Sequence, residues 1–136
     1  EAAAEALLRL AARLLHRPGL GGQVLGTLGV FLALRPRVAD ALKAHVAVGV
    51  AAMLREDAAS VPNATGWDVV FALLESCALH DHASSAAFGA LHALLVDPVL
   101  RACVPVSAAR PLASFVRSEC SGEAQSVAAL DLLARL

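Results

Sequence analysis

The sequence has no tyrosine, one tryptophan and four phenylalanines among 136 residues, and only 17% of its residues are charged. Soluble domains typically carry about 25% charge, so little charged surface is left for an isolated globule. The net charge of −1 excludes a global positive field that would gather nucleic acid or an anionic membrane. Three cysteines, Cys77, Cys103 and Cys120, with no CxxC spacing, do not make a disulfide framework, and the expected setting is reduced and cytosolic. The longest apolar run, "LGTLGVFLAL" at residues 25–34, is shorter than the ~20 residues that a membrane-spanning helix needs. No secretory leader pattern opens the chain. No segment alternates polar and apolar residues long enough to argue for a strand. The scarcity of aromatics raises one question: why does the single indole, Trp67, stand beside Gly66 at the head of an apolar run?

What is present is alanine, leucine and valine in excess, with hydrophobic residues making up 58% of the chain, and they recur at helical spacing almost everywhere. In the first segment Leu7, Leu10, Leu14, Leu8 and Leu15 form the apolar stripe, with Glu1, Glu5, Arg9 and Arg13 largely off it. "RPGLGG" ends that helix. A second helix is predicted over 23–34, apolar nearly all round and buried. A long third opens at Pro36, a residue tolerated in a first turn. "SVPN" closes it, and a fourth begins with Thr65 as its N-cap and Asp68 three residues on, close to a capping box. Further helices are predicted over 84–96 and 107–118 and from "CSGE" onward. The expected fold is all-α, with about seven helices. The chain begins and ends inside helical patterns and its first residue is not methionine, so it reads as a segment of a longer protein.

A period of 42 residues runs through these helices. It carries Leu28 to Val70 to Leu112, Phe31 to Leu73 to Phe115, Leu32 to Leu74 to Val116, and Val46 to Phe88 to Leu130. Helix pairs repeating every ~40–47 residues have the HEAT/armadillo period, and the expected architecture is an α-solenoid, each hairpin burying its face against its neighbours. The signature positions of that repeat are Gly66, Trp67, Phe71, Leu74, Phe88, Phe115 and Leu130. Trp67 reads first as a wedge against the adjacent hairpin, with a partner-facing contact as the other reading.

No catalytic, cofactor or metal site is expected. "HDH" at residues 80–82, with Cys77 a turn upstream, matches no common zinc spacing and lies at a helix C-terminus, where histidine suits the dipole. His45 and His92 read as hydrogen-bonded groups between helices. "GLGG" at residues 19–22 is not a phosphate loop, since neither a following Lys-Ser/Thr nor a preceding strand is present. Ser, His and Asp are scattered without a nucleophile elbow.

"RVADA" (37–41), "AVGVAAML" (47–54), Gly66–Trp67, "ALL" (72–74), Phe88, "AAR" (108–110) and "ALDLL" (129–133) occur in an order and spacing that resemble the region downstream of the Sec7 domain in large Arf guanine-nucleotide exchange factors, specifically the Golgi group of GNOM, Gea proteins and the Golgi brefeldin-resistance factor. The resemblance covers roughly residues 30–136. It implies an armadillo-like, non-catalytic scaffold or regulatory role in Golgi vesicle trafficking, because exchange activity in that family belongs to Sec7. "SGEAQS" at residues 121–126 is superficially similar to the Sec7 catalytic loop, but the surrounding Sec7 residues are missing, and Glu123 reads as a first-turn acid favoured by the helix dipole. The implied partners are the Sec7 domain and neighbouring helical repeats of the same protein, Arf/Rab-type small GTPases and the Golgi membrane, with no nucleic acid and no cofactor. The implied location is cytoplasmic, peripheral on Golgi or endosomal membranes. An adaptor of the HEAT/armadillo kind, unrelated to Arf and holding a partner helix in a groove, is the competing reading. A membrane-surface role through an apolar helix face ranks below it.

Overall fold

The computed structural model describes residues 1–136 throughout and contains helices and turns, without strands. Helix α1 spans Ala2–Leu14, α2 Gly21–Leu28, α3 Pro36–Asp57, α4 Ala64–Cys77, α5 Ser84–Val96, α6 Pro98–Arg101, α7 Ala109–Arg117 and α8 Glu123–Ala134. Seven of these are the expected helices. The eighth, α6, is a single turn that the sequence reading passed over. It forms because Asp97 accepts hydrogen bonds from the Val99 and Leu100 amides at 2.8 and 3.4 Å, with Pro98 at the first helical position.

Three sequence expectations need correction. The helix predicted over 23–34 ends at Leu28 and continues as a 3₁₀ turn over Gly29–Leu32. It is buried on one side only, through Leu25, Leu28 and Phe31, while Val30 and Leu32 are exposed. The burial is one-sided because α4 packs on this segment along its length, with α1 beside α2 and α3 beside the 3₁₀ turn. On α1 the buried line is Ala4, Leu8, Ala11 and Leu15, the side that meets α3. Leu10, expected in that stripe, is 53% exposed. The cap of α4 is Asn63, whose Oδ1 accepts from the Gly66 amide at 3.0 Å. Thr65 lies inside the first turn and is exposed, so the start sits two residues earlier than the S/T-x-x-E reading placed it.

The helices fall into two rows. One runs α2, α4, α7 and the other α1, α3, α5, α8, each helix packing on the next of its row. Hairpin partners α4 with α5 and α7 with α8 also touch, closing one core of 32 apolar residues between the rows. Polar side chains tie neighbouring helices of each row together. Arg110 Nη2 donates to the Asp68 carbonyl at 3.4 Å, and its Nε lies 3.0 Å from Glu75 Oε2, while Ser114 Oγ donates to Glu75 Oε1 at 3.1 Å. Buried Ser118 donates to the Ala78 carbonyl. Gln125 Nε2 donates to buried Ser84 Oγ at 2.9 Å.

Close approach within each row needs small residues. A Cβ on Gly66 would stand 2.7 Å from Leu25 Cδ1, 3.2 Å from Val61 and 3.3 Å from Pro62. A Cβ on Gly49 would stand 2.7 Å from Leu8 Cδ1. Gly66 therefore lets the start of α4 seat against α2, and Gly49 lets α1 seat against α3. The chain turns between α1 and α2 through Gly19, the one residue with positive φ, at 79°.

Candidate functional site

Of the repeat-signature residues, Trp67 is buried at 4% exposure, its ring centroid 5.4 Å from that of Phe71 one turn on. Phe71 and Leu74 are fully enclosed. Phe115 on α7 is also enclosed and meets half-buried Phe88 of α5 edge-on, with centroids 5.5 Å apart. Such aromatic pairs add about 0.5–1.5 kcal/mol beyond area burial. The structure thus gathers these residues into two aromatic pairs, one within α4 and one joining α5 to α7. Leu130 is not gathered: it is 55% exposed, and the buried positions of α8 are Ala129 and Leu132. The step from Val46 to Phe88 to Leu130 lands on the solvent side of α8, which meets α5 and α7 on one side only. Likewise Leu32 is 44% exposed where Leu74 is enclosed. The step through Leu28, Val70 and Leu112 falls on fully buried residues each time.

The reactive side chains do not converge. No three of the His, Cys, Asp and Glu side chains come together at metal-binding distance. His80 and His82 lie with ring centroids 6.2 Å apart, and His80 Nδ1 is enclosed without a hydrogen-bond partner. His45 does sit between helices, Nδ1 3.3 Å from Glu5 and Nε2 3.8 Å from Glu1. His92, expected between helices, is exposed and leans on the Phe88 ring, centroid to centroid 5.9 Å. Burial pushes the Cys77 thiol up, against smaller lowering effects from a Ser76 hydrogen bond and Lys43. A hydrogen bond to the Asp81 carboxylate pushes the Cys120 thiol up as well, with Ser118 opposing. A nucleophilic cysteine needs the opposite shift. Glu123 stands in the first turn of α8 and is exposed.

Concave surface lies along the row α1, α3, α5, α8. A cleft of about 500 Å³ opens between α1 and α3, and another of about 390 Å³ between α3 and α5. They share Val48, which stands 60% exposed between them. A smaller cleft, about 120 Å³, lies where α5 and α6 meet α8. A separate apolar cleft of about 200 Å³, between α1 and α2, is where Leu10 and Leu14 point. No helix is long and apolar enough to cross a membrane. Sequence reasoning missed the ion pair of Arg110 with Glu75 and the tie of Gln125 to Ser84. Polar residues spaced near the apolar period were the available signal.

The chain is all-α, its helices pack in two rows, and interhelical clefts lie along one of them. The resemblance read from the motifs is the one that comparison returns. The chain is 30% identical over 132 residues to the ARF guanine-nucleotide exchange factor GNOM of Arabidopsis thaliana, an alignment that takes in 93% of this chain and 9% of GNOM. It is 33% identical over 98 residues to the ARF guanine-nucleotide exchange factor GNL1 of the same plant, covering 71% of this chain and 7% of GNL1. The chain is thus similar to a short segment of GNOM-group exchange factors, and spans less than a tenth of the length of these relatives. No family model matches the sequence, and no solved structure matches it.

Proposed function

We propose that this chain is a non-catalytic scaffold and regulatory region of an Arf guanine-nucleotide exchange factor, lying downstream of a Sec7-type exchange domain and serving Golgi vesicle traffic. The observation that carries the reading is the alignment to GNOM along 132 residues, which includes the Gly66–Trp67 helix start. The packing supports a structural role for that start: the indole is enclosed and Gly66 is pressed against Leu25. The helix pairs are units of an α-solenoid, supported by the two-row succession and by contacts one period apart. In the whole protein the neighbouring repeats and the Sec7 domain are its partners. Arf- or Rab-type GTPases and the Golgi surface are reached through the assembled molecule from the cytoplasm.

The test is nucleotide exchange. Arf loaded with fluorescent GDP is expected to release it at the intrinsic rate when this chain alone is added. Deleting the region from the full-length protein is expected to change Golgi recruitment or the exchange rate in cells. Accelerated release by the chain alone, or a deletion that changes neither property, overturns the reading.

A further inference from the structure

Helices α3 and α5 each carry an apolar residue that meets the next helix of the other row. On α3 it is Val46, which is buried and lines one small gap with Leu73 of α4. On α5 it is Phe88, edge-on to Phe115 of α7 with centroids 5.5 Å apart. Val46 to Leu73 and Phe88 to Phe115 are the same step of 27 residues. Leu73 and Phe115 are both enclosed. On α8 the corresponding position is Leu130, as far beyond Phe88 as Phe88 is beyond Val46. No helix of the other row comes after α8. Leu130 is 55% exposed, and Val127, one turn before it, is 61% exposed. Ala129 and Leu132 of the same helix are buried, and α8 meets α5 and α7.

We propose that Leu130 and Val127 seat a later helix of the same polypeptide, which places a large apolar side chain 27 positions beyond Leu130. The proposal rests on the reading that this chain is one stretch of a longer exchange factor, and it names the segment that lies against α8. The two filled seats select the occupant. In both, the covering element is a helix, its contact residue is large and apolar, and its distance along the chain is the same. The connections are short, from Asp57 to Ala64 and from Val96 to Ala109. A segment tethered in this way arrives at an effective concentration of about millimolar. A second copy is the poorer occupant, because docking its first helices on α8 is a head-to-tail contact that runs on into filaments unless a ring closes. A bilayer is poorer too. Glu123 and Asp131 lie on α8, where an interfacial helix carries a basic polar face.

Thiol chemistry in the full-length protein and in the 136-residue chain tests this. Leu130→Cys is labelled with a maleimide in both, with exposed Cys103 as the rate standard and each site read by mass spectrometry. In the 136-residue chain the new thiol is expected to react as fast as Cys103. In the full-length protein it is expected to react about tenfold more slowly, as a covered site does. Val127→Cys is expected to behave alike and serves if the first variant misfolds. A second cysteine is then placed 27 positions beyond Leu130, or two residues further on as a control, since that turns it to the opposite side of its helix. Mild oxidation is expected to join the first pair within one chain and to leave the control unjoined. Equal labelling in the two proteins, protection without the cross-link, a cross-link at the control position, or a polar residue or proline naturally at the contact position overturns the proposal. A cross-link between two chains overturns it too and assigns the face to a second copy. Nucleotide exchange and Golgi recruitment are not read here, so a missing cross-link leaves the exchange-factor reading standing, and a failure in those assays leaves the cross-link as expected.

Discussion

Trp67 shows how much one side chain can decide in an aromatic-poor chain. Its ring is 4% exposed and leans on Phe71 within a helix whose other large buried side chains are Val70, Leu73 and Leu74. Removing it leaves a large cavity beside a rigid neighbour, and Trp67→Ala is expected to cost about 3–5 kcal/mol, read as a drop in the urea midpoint at constant slope. An unchanged midpoint would contradict the burial. Two glycines form a second comparison. At Gly66 a methyl would press into Leu25, Val61 and Pro62, so Gly66→Ala is expected to lose about 1–3 kcal/mol through overpacking. At Gly26, within α2 but facing open space, the same change is expected to gain about 0.5–1 kcal/mol from helix propensity. Thermal melting of both variants side by side decides the matter; equal shifts would refute the close approach.

Helix boundaries separate what local pattern reveals from what it leaves open. The start of α4 reads from sequence as Thr65 with Asp68, yet the amide partner is Asn63 Oδ1, at 3.0 Å from the Gly66 nitrogen. Both residues are good caps by type, and a one-dimensional pattern weighs them equally. Gly66 seats against Leu25, Val61 and Pro62, and the extended residue falls at Asn63, which chooses between them. Asn63→Ala is therefore expected to cost about 1 kcal/mol. Thr65→Ala, at an exposed first-turn site, is expected to change stability by less than about 0.5 kcal/mol. A larger loss at Thr65 than at Asn63 would reverse the assignment. The apolar stripe of α1 shows the same limit. The stripe read from the sequence held both Leu8 and Leu10, and the position of α3 buries Leu8 and Ala11 while leaving Leu10 exposed.

For the whole molecule, one enclosed thiol couples cooperative unfolding to pH. Burial raises the Cys77 value above the ordinary 9.0, so the folded chain keeps its proton where the unfolded chain releases it. Above the unfolded value the unfolded state binds fewer protons, and stability falls as pH rises toward the folded value. The chain is expected to hold level through neutral pH and to lose up to ~1.4 kcal/mol per pH unit above about pH 9 from this group. Cys77→Ala is expected to lower overall stability but to flatten that alkaline slope in urea titrations. An unaltered slope would place Cys77 in contact with water.

The all-α class and the helix count to within one turn were legible in the sequence, because both are written in local spacing: apolar residues recur with the helical pitch, and breakers fall between the helices. The GNOM-group likeness was legible for the same reason, being an order of short motifs. Which apolar residues meet one another was not legible. Leu32 and Leu130 are as hydrophobic as Leu74, and only the neighbour on each face settles that they stand in solvent. The clefts between α1 and α3 and between α3 and α5 lay equally out of reach, since the residues that line them, such as Glu5, Val48 and Ala90, are far apart along the chain. Their convergence on one row comes from the stacking of helices, a non-local property that no linear period specifies.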